Sequence, residues 1–240
     1  MGADRRSELG ERLAAIDGQI EQACREAGRD SETDPVSLVV VTKTFPASDV
    51  RLLAELGVHD VGENRDQEAK AKFAELDDLN VRWHMIGRLQ RNKAASVAGW
   101  ADVVESVDRP ELVDALDSAV ARGEREPLEV LVQVNLDPIP EPGRGGVAPD
   151  GATELAERIA STTTLRLAGV MAVAPHPDTG VEPTAAFARL REVADRIQRV
   201  WPTARTISAG MSHDLKEAIS EGATQVRVGG AILGERPRVQ

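Results

Sequence analysis

The chain has no tyrosine, a single cysteine (Cys24), three phenylalanines and three tryptophans in 240 residues. One cysteine excludes an internal disulfide and a cysteine-based metal site, and it agrees with a reducing cytoplasm. No run approaches the roughly 18 apolar residues that a membrane helix requires, and the opening MGADRRSELGERLAA has no apolar signal core. A soluble cytoplasmic chain without a membrane partner is therefore expected. Basic residues are outnumbered, 29 Lys and Arg against 40 Asp and Glu, for a net charge of −11. Binding to nucleic acid rests on clustered cations that release counterions from phosphates, and no basic cluster is visible, so a nucleic-acid partner is not expected. Lysine is scarce as well: Lys43, Lys70, Lys72, Lys93 and Lys216 are all there are. Four of them lie among carboxylates or begin polar helical stretches and read as solvated surface. Lys43 differs, because it closes the apolar run SLVVVTKTFP.

Hydrophobic residues make up 41% of the chain, enough for a substantial core. Leu9, Leu13, Ile16 and Ile20 recur at helical spacing among charges, which predicts an amphipathic helix over about 4–28. Beyond it, β-rich runs at 38–42, 58–61, 81–86, 103–107, 130–134, 167–173, 206–208 and 226–228 alternate with helical patterns that open on Ser, Asp, Asn or Pro. Several of these close on Gly. Eight apolar strands, each followed by a helix, predict an α/β fold: a single (β/α)8 TIM barrel over 1–240, with residues 1–30 as an extra N-terminal helix packing on it. A doubly wound open sheet would usually carry a Gly-rich first turn, which VTKTFP is not. The Pro- and Gly-rich stretch 135–151 reads equally as a surface connection or as a lid over a site.

In such a barrel the loops after the strands share one face, so the ends of strands 1, 7 and 8 converge. Strand 7 ends in SAGMS (208–212) and strand 8 in RVGGAILG (227–234). Small residues with exposed backbone N–H groups at these two loops suit a phosphate. A lysine at the rim of an apolar barrel gives up its proton more readily than one in water, and its free amine can form a Schiff base with an aldehyde. The competing reading of Lys43 is a strand-end lysine reaching out to solvent. Arg227, in QVRVGG, faces the barrel interior if strand 8 alternates. There it would either meet a ring nitrogen or form a structural ion pair with a carboxylate such as Glu63. Phosphate at loops 7 and 8, aldehyde at Lys43 and ring nitrogen at Arg227 together point to pyridoxal 5'-phosphate.

The motifs VVVTKTFP, VGENRDQEA, WHMIGRLQRNK, ESVDRPEL, LVQVNL, LAGVMAVAP, SAGMSHDLKEAI and QVRVGGAILGER, in this order from about residue 9 to 236, resemble the pyridoxal phosphate homeostasis protein family. The resemblance implies a barrel like the N-terminal domain of alanine racemase, with the cofactor carried on Lys43 as a covalent aldimine. It further implies that Ser208, Gly210, Ser212, Gly229 and Gly230 hold the phosphate, that Arg227 faces the pyridine nitrogen, and that Asn64, His84 and Met85 line the pocket. Three positions depart from the family pattern: Gly230 stands where Thr is usual, Leu233 where an aromatic is common, and Arg65 where Tyr is common.

A cationic arginine at the pyridine nitrogen opposes its protonation and so weakens the cofactor as an electron sink. Alanine racemase pairs such an arginine with a tyrosine as second base, and the absence of tyrosine here excludes that design. His84 could serve as a base in principle, but in VRWHMIG a packed strand histidine is the favoured reading. His213 in SHD cannot form a triad with its own neighbours, and His176 in APHPD offers no metal cluster. The sequence thus points to a non-enzymatic carrier and buffer of pyridoxal phosphate, a monomer in transient contact with pyridoxal-dependent enzymes. The alternatives are a weak pyridoxal-dependent, racemase-like enzyme on amino acids and a cofactor-free aldolase-like barrel.

Overall fold

The computed structural model describes residues 2–30, 32–123, 125–139 and 143–234. Its eight strands are β1 (Ser37–Val41), β2 (Asp60–Glu63), β3 (Arg82–Met85), β4 (Val103–Val107), β5 (Leu128–Gln133), β6 (Leu165–Met171), β7 (Thr206–Ser208) and β8 (Gln225–Val228). All pair in parallel in chain order, and the barrel closes where β8 pairs with β1. Helix α1 (Gly2–Glu26) precedes the first strand. After the strands come, in turn, α2 (Ala47–Glu55), α3 (Asp66–Glu75), α4 (Ala94–Val97), α5 (Pro110–Gly123), α6 (Ala152–Ala160), α7 (Pro183–Val200), α8 (Leu215–Ser220) and α9 (Gly230–Leu233). The fold is a (β/α)8 barrel with an added N-terminal helix. Positions 140–142 of the long loop and the last two residues of QVRVGGAILGER lie outside the described residues. Among the described residues no helix is long and apolar enough to cross a membrane.

Successive strand residues face opposite sides of a sheet. Outward-facing Val40, Val61, Trp83, Val104, Val130, Val170, Ile207 and Val226 form one apolar layer with the helices. Helix α1 adds its predicted stripe, Leu9, Leu13, Ile16 and Ile20, all buried, each worth roughly 1.5–3 kcal/mol. Arg5 ties it down through hydrogen bonds to Asp49 in α2 (2.8 Å) and to the Leu233 carbonyl (2.9 Å). The inward face is not the apolar filling the sequence suggested. Beside Val39, Val41, Leu131 and Met171 it carries buried His84, Glu105, Ser208, Gln225 and Arg227.

Strand β2 starts at Asp60 rather than at 58, because α2 ends in a Schellman turn. Gly57 has φ +91, its N–H donates to Ala54 O, and Val58 N–H donates to Leu53 O at 3.0 Å. The described parts of the 135–151 loop are bound to the C-terminal mouth. Val147 pairs with Val134, and Arg144 joins Asp137 (2.8 Å) to the Ala174 carbonyl (2.9 Å) beyond β6.

Candidate functional site

Closure of the barrel sets the end of β1 beside the end of β8, with Val39 level with Arg227 and Val40 with Val228. Lys43 follows β1 by two residues and is half-buried. The Arg227 N–H donates to Gly210 O at 2.9 Å, which ties the loop after β7 to β8. Gly210 has φ +92, and a Cβ there would lie 2.7 Å from the Ala218 Cβ. At Gly229 a Cβ would lie 3.0 Å from the Val41 carbonyl. These two glycines let the backbone pass close to α8 and β1. Gly230 is different, since a Cβ there meets no atom of the described residues within 4 Å. Lys43, Gly210, Arg227, Gly229 and Gly230 therefore share one end of the barrel.

Beneath them lies a polar network that spacing along the chain does not reveal. Arg227 is 3% exposed and donates to Ser208 Oγ (2.6 Å) and the Ala172 carbonyl (2.8 Å), with Glu105 3.8 Å away. Ser208 donates to Glu105 Oε2 (2.6 Å) and accepts from Gln225 Nε2 (2.9 Å) as well as from Arg227. One donor and two acceptor sites exhaust a hydroxyl, so this one orders Arg227 and has nothing left for a ligand. Glu105 Oε1 accepts from Gln225 (2.8 Å) and meets His84 Nδ1 (2.8 Å), while His84 Nε2 meets Asp60 (2.8 Å).

Two carboxylates on one imidazole are satisfied only if both ring nitrogens carry protons. Burial alone would push His84 down, but hydrogen bonds and charge from Asp60 and Glu105 prevail and raise it from 6.5 to about 9. Glu105 is likewise held below the usual carboxylate range. Burial works against its charge, and the hydrogen bond and charge of His84, the Arg227 charge and Ser208 outweigh it. Burial lowers Arg227, opposed by Glu105 and Asp214. His84 thus sits inside the barrel as a clamped cation, with neither nitrogen free to take a proton from a substrate.

Two expectations from sequence are corrected. The carboxylate beside Arg227 is Glu105, not Glu63. And Lys72 is not solvated surface: it is 7% exposed and donates to Glu63 (2.8 Å), Glu68 (2.8 Å) and the Thr42 carbonyl (2.8 Å). It braces the turn that carries Lys43. Burial raises Glu63, against the pull of Lys72 and Thr42. Glu105, Gln225, Asp60 and Lys72 were missed by the sequence reading. A polar residue inside an apolar strand, as in VVESV, is the one signal that could have found Glu105.

The remaining candidates lie apart from this axis. Met85 follows His84 on β3 and faces the other way, and with Asn64 it lines a cavity of about 690 Å³ outside the barrel mouth. Ser212 is half-buried and borders a smaller cavity of about 310 Å³ between α1 and α8. Among the described residues no group of His, Cys, Asp and Glu could hold a metal ion.

A barrel with this strand order falls in a recognised class: a model of the alanine racemase N-terminal domain matches residues 13–237. Among curated proteins, the pyridoxal phosphate homeostasis protein of Mycobacterium tuberculosis is 43% identical over 97% of this chain and 95% of its own. That of Pseudomonas aeruginosa is 41% identical over 96% of each chain. PipY of Synechococcus elongatus PCC7942 is 33% identical and superposes over 94% of this chain and 100% of its own. Its TM-score is 0.81 for the structure without pyridoxal phosphate and 0.79 for the one with it bound. The chain belongs to the pyridoxal phosphate homeostasis protein family.

Proposed function

We propose that this protein binds pyridoxal 5'-phosphate as a Schiff base on Lys43 and serves its intracellular homeostasis as a carrier and buffer, without strong catalysis of its own. The observation that carries the reading is the convergence of one half-buried lysine, two close-approach glycines and one buried arginine at a single barrel end. The residues fit the cofactor. Backbone at Gly210, Gly229 and Gly230, with Ser212 on the adjoining turn, would take the phosphate. Arg227 would face the ring nitrogen, and Asn64 and Met85 would border the mouth. Ser208, which accepts directly from Arg227, and His84, which reaches it by way of Glu105, would act through that arginine. Bound pyridoxal phosphate supplies a reactive aldehyde and an electron-withdrawing ring. The chain's own contribution is to secure that aldehyde and to keep a cation at the ring nitrogen. PipY, 33% identical, has been solved with pyridoxal phosphate bound, which supports the reading.

The absence of tyrosine and the double clamp on His84 favour a carrier over a two-base enzyme. A closed barrel has no free sheet edge, so one domain acting as a cytoplasmic monomer, with transient contacts to pyridoxal-dependent enzymes, completes the proposal. Adding pyridoxal phosphate should produce a visible absorption band, borohydride should fix the cofactor on the peptide containing Lys43, and Lys43→Ala should remain colourless. A wild-type protein that stays colourless, or a modification mapped to another lysine, would overturn this. Exchange of amino-acid α-protons in deuterated water at enzyme-like rates would overturn the non-catalytic part.

A further inference from the structure

The cavity of about 690 Å³ outside the barrel mouth is unusual for an acidic protein, because its wall is cationic. Arg65, Arg88, Lys93 and Arg109 line it, against two carboxylates, Asp66 and Glu68. Both carboxylates also hold groups outside the cavity wall. Glu68 accepts from Lys72 (2.8 Å) and from the Thr44 N–H, and Asp66 accepts from Trp100 Nε1 (3.1 Å), with Lys93 no nearer than 3.8 Å. Arg109 is paired with Asp108 and hydrogen-bonded to Leu89 O. Arg65 and Arg88 are exposed; among the described residues the Arg88 guanidinium makes no ion pair or hydrogen bond, and that of Arg65 makes none either, although its charge acts on nearby Glu68. The floor is apolar, formed by Met85 and Leu89, both buried. A concave site with an apolar floor and exposed guanidinium groups at its rim, in a wall where cations outnumber carboxylates, concentrates anions and matches carboxylate or phosphate groups in bidentate fashion.

We propose that this cavity is a binding site for a small organic molecule bearing two or more negative charges, as carboxylate or phosphate groups, adjoining but separate from the site at Lys43, with which it shares Asn64 and Met85 at the mouth. Its volume falls within the range of small-molecule sites, and its wall residue Glu68 holds the N–H of Thr44, next to Lys43. The inference stands on the cavity alone and does not require the cofactor reading.

The test is calorimetric titration of the full chain with pyrophosphate and with citrate, at ionic strength held constant with potassium chloride. The protein is first loaded with pyridoxal phosphate and reduced with borohydride, so that the Lys43 site is filled. Saturable one-to-one binding is expected, weakened about tenfold by Arg65→Gln or Arg88→Gln and further by Arg88→Glu, and unchanged by Lys216→Gln on the far α8 surface. Preference for pyrophosphate or for citrate assigns the phosphate or carboxylate class. Thermal melts of the variants, both at exposed positions, report folding separately. Heats no larger than the chloride control, or binding indifferent to both arginines, would overturn the proposal. So would loss of the visible band in the arginine variants, since the cavity would then belong to the cofactor site. If the wild type takes up no pyridoxal phosphate, the titration is run on the unloaded chain. Arginine-dependent anion binding there would uphold this inference while the function proposed above falls.

Discussion

The charge on His84 can be tested through stability. Its folded-state pKa is about 9 against an ordinary 6.5, and at 1% exposure solvent screens the contacts little. By linkage this difference corresponds to about 3 kcal/mol of stability. The sign follows from which state binds the proton more tightly. Here the folded state does, so the contribution is complete below about pH 6, begins to fall above 6.5 and is gone once the pH has passed about 9. The same hydrogen bonds hold Asp60 and Glu105 low, so their loss in acid is not an additional gain to be added here. The perturbation is His84→Gln, which keeps a polar side chain but cannot be charged. Urea unfolding of wild type and variant between pH 6 and 10 should show the difference between them shrinking by about 3 kcal/mol as pH rises. An imidazole NMR titration of the wild type should find this ring still cationic at pH 7.5. A midpoint at or below 6.5, or a stability difference that does not change with pH, would refute the clamped-cation account.

Two further experiments address the support of Lys43 and the phosphate loops. Lys72→Met strips the counter-charge from Glu63, which is 0% exposed and whose Oε2 has no hydrogen-bond partner among the described residues. It should cost about 3–5 kcal/mol in urea unfolding, with most of the loss recovered by adding Glu63→Gln; a loss below about 1 kcal/mol would contradict the buried pair. Gly210→Ala puts a Cβ 2.7 Å from the Ala218 Cβ at φ +92 and should cost about 1–3 kcal/mol and weaken pyridoxal phosphate uptake. Gly230→Thr meets no atom of the described residues within 4 Å of its Cβ, so stability should hold within about 0.5 kcal/mol and cofactor binding should tighten. Equal effects of these two substitutions on absorbance titrations would show that the glycines do not differ in the way their surroundings indicate.

The alternation of apolar runs with capped helical patterns was enough to read a barrel, because strand and helix periodicity are local properties. Lys43 was legible for the same reason: its distinction is to follow five residues of strand, and that is written in consecutive letters. Lys72 was misread because its neighbours in sequence are charged, whereas its partners Glu63 and the Thr42 carbonyl are brought to it from other elements, 9 and 30 positions away. The role of Ser208 was equally hidden. As part of SAGMS it resembles a phosphate ligand, yet its hydroxyl is consumed by Glu105, 103 positions distant. Those pairings exist only once eight strands have closed and set their inward faces against one another. Sequence alone thus determined the order of elements and the lysine just beyond the first strand. Tertiary structure decided which charges are buried together, because the cost of removing a charge from water is met only by partners that closure of the barrel brings within hydrogen-bond range.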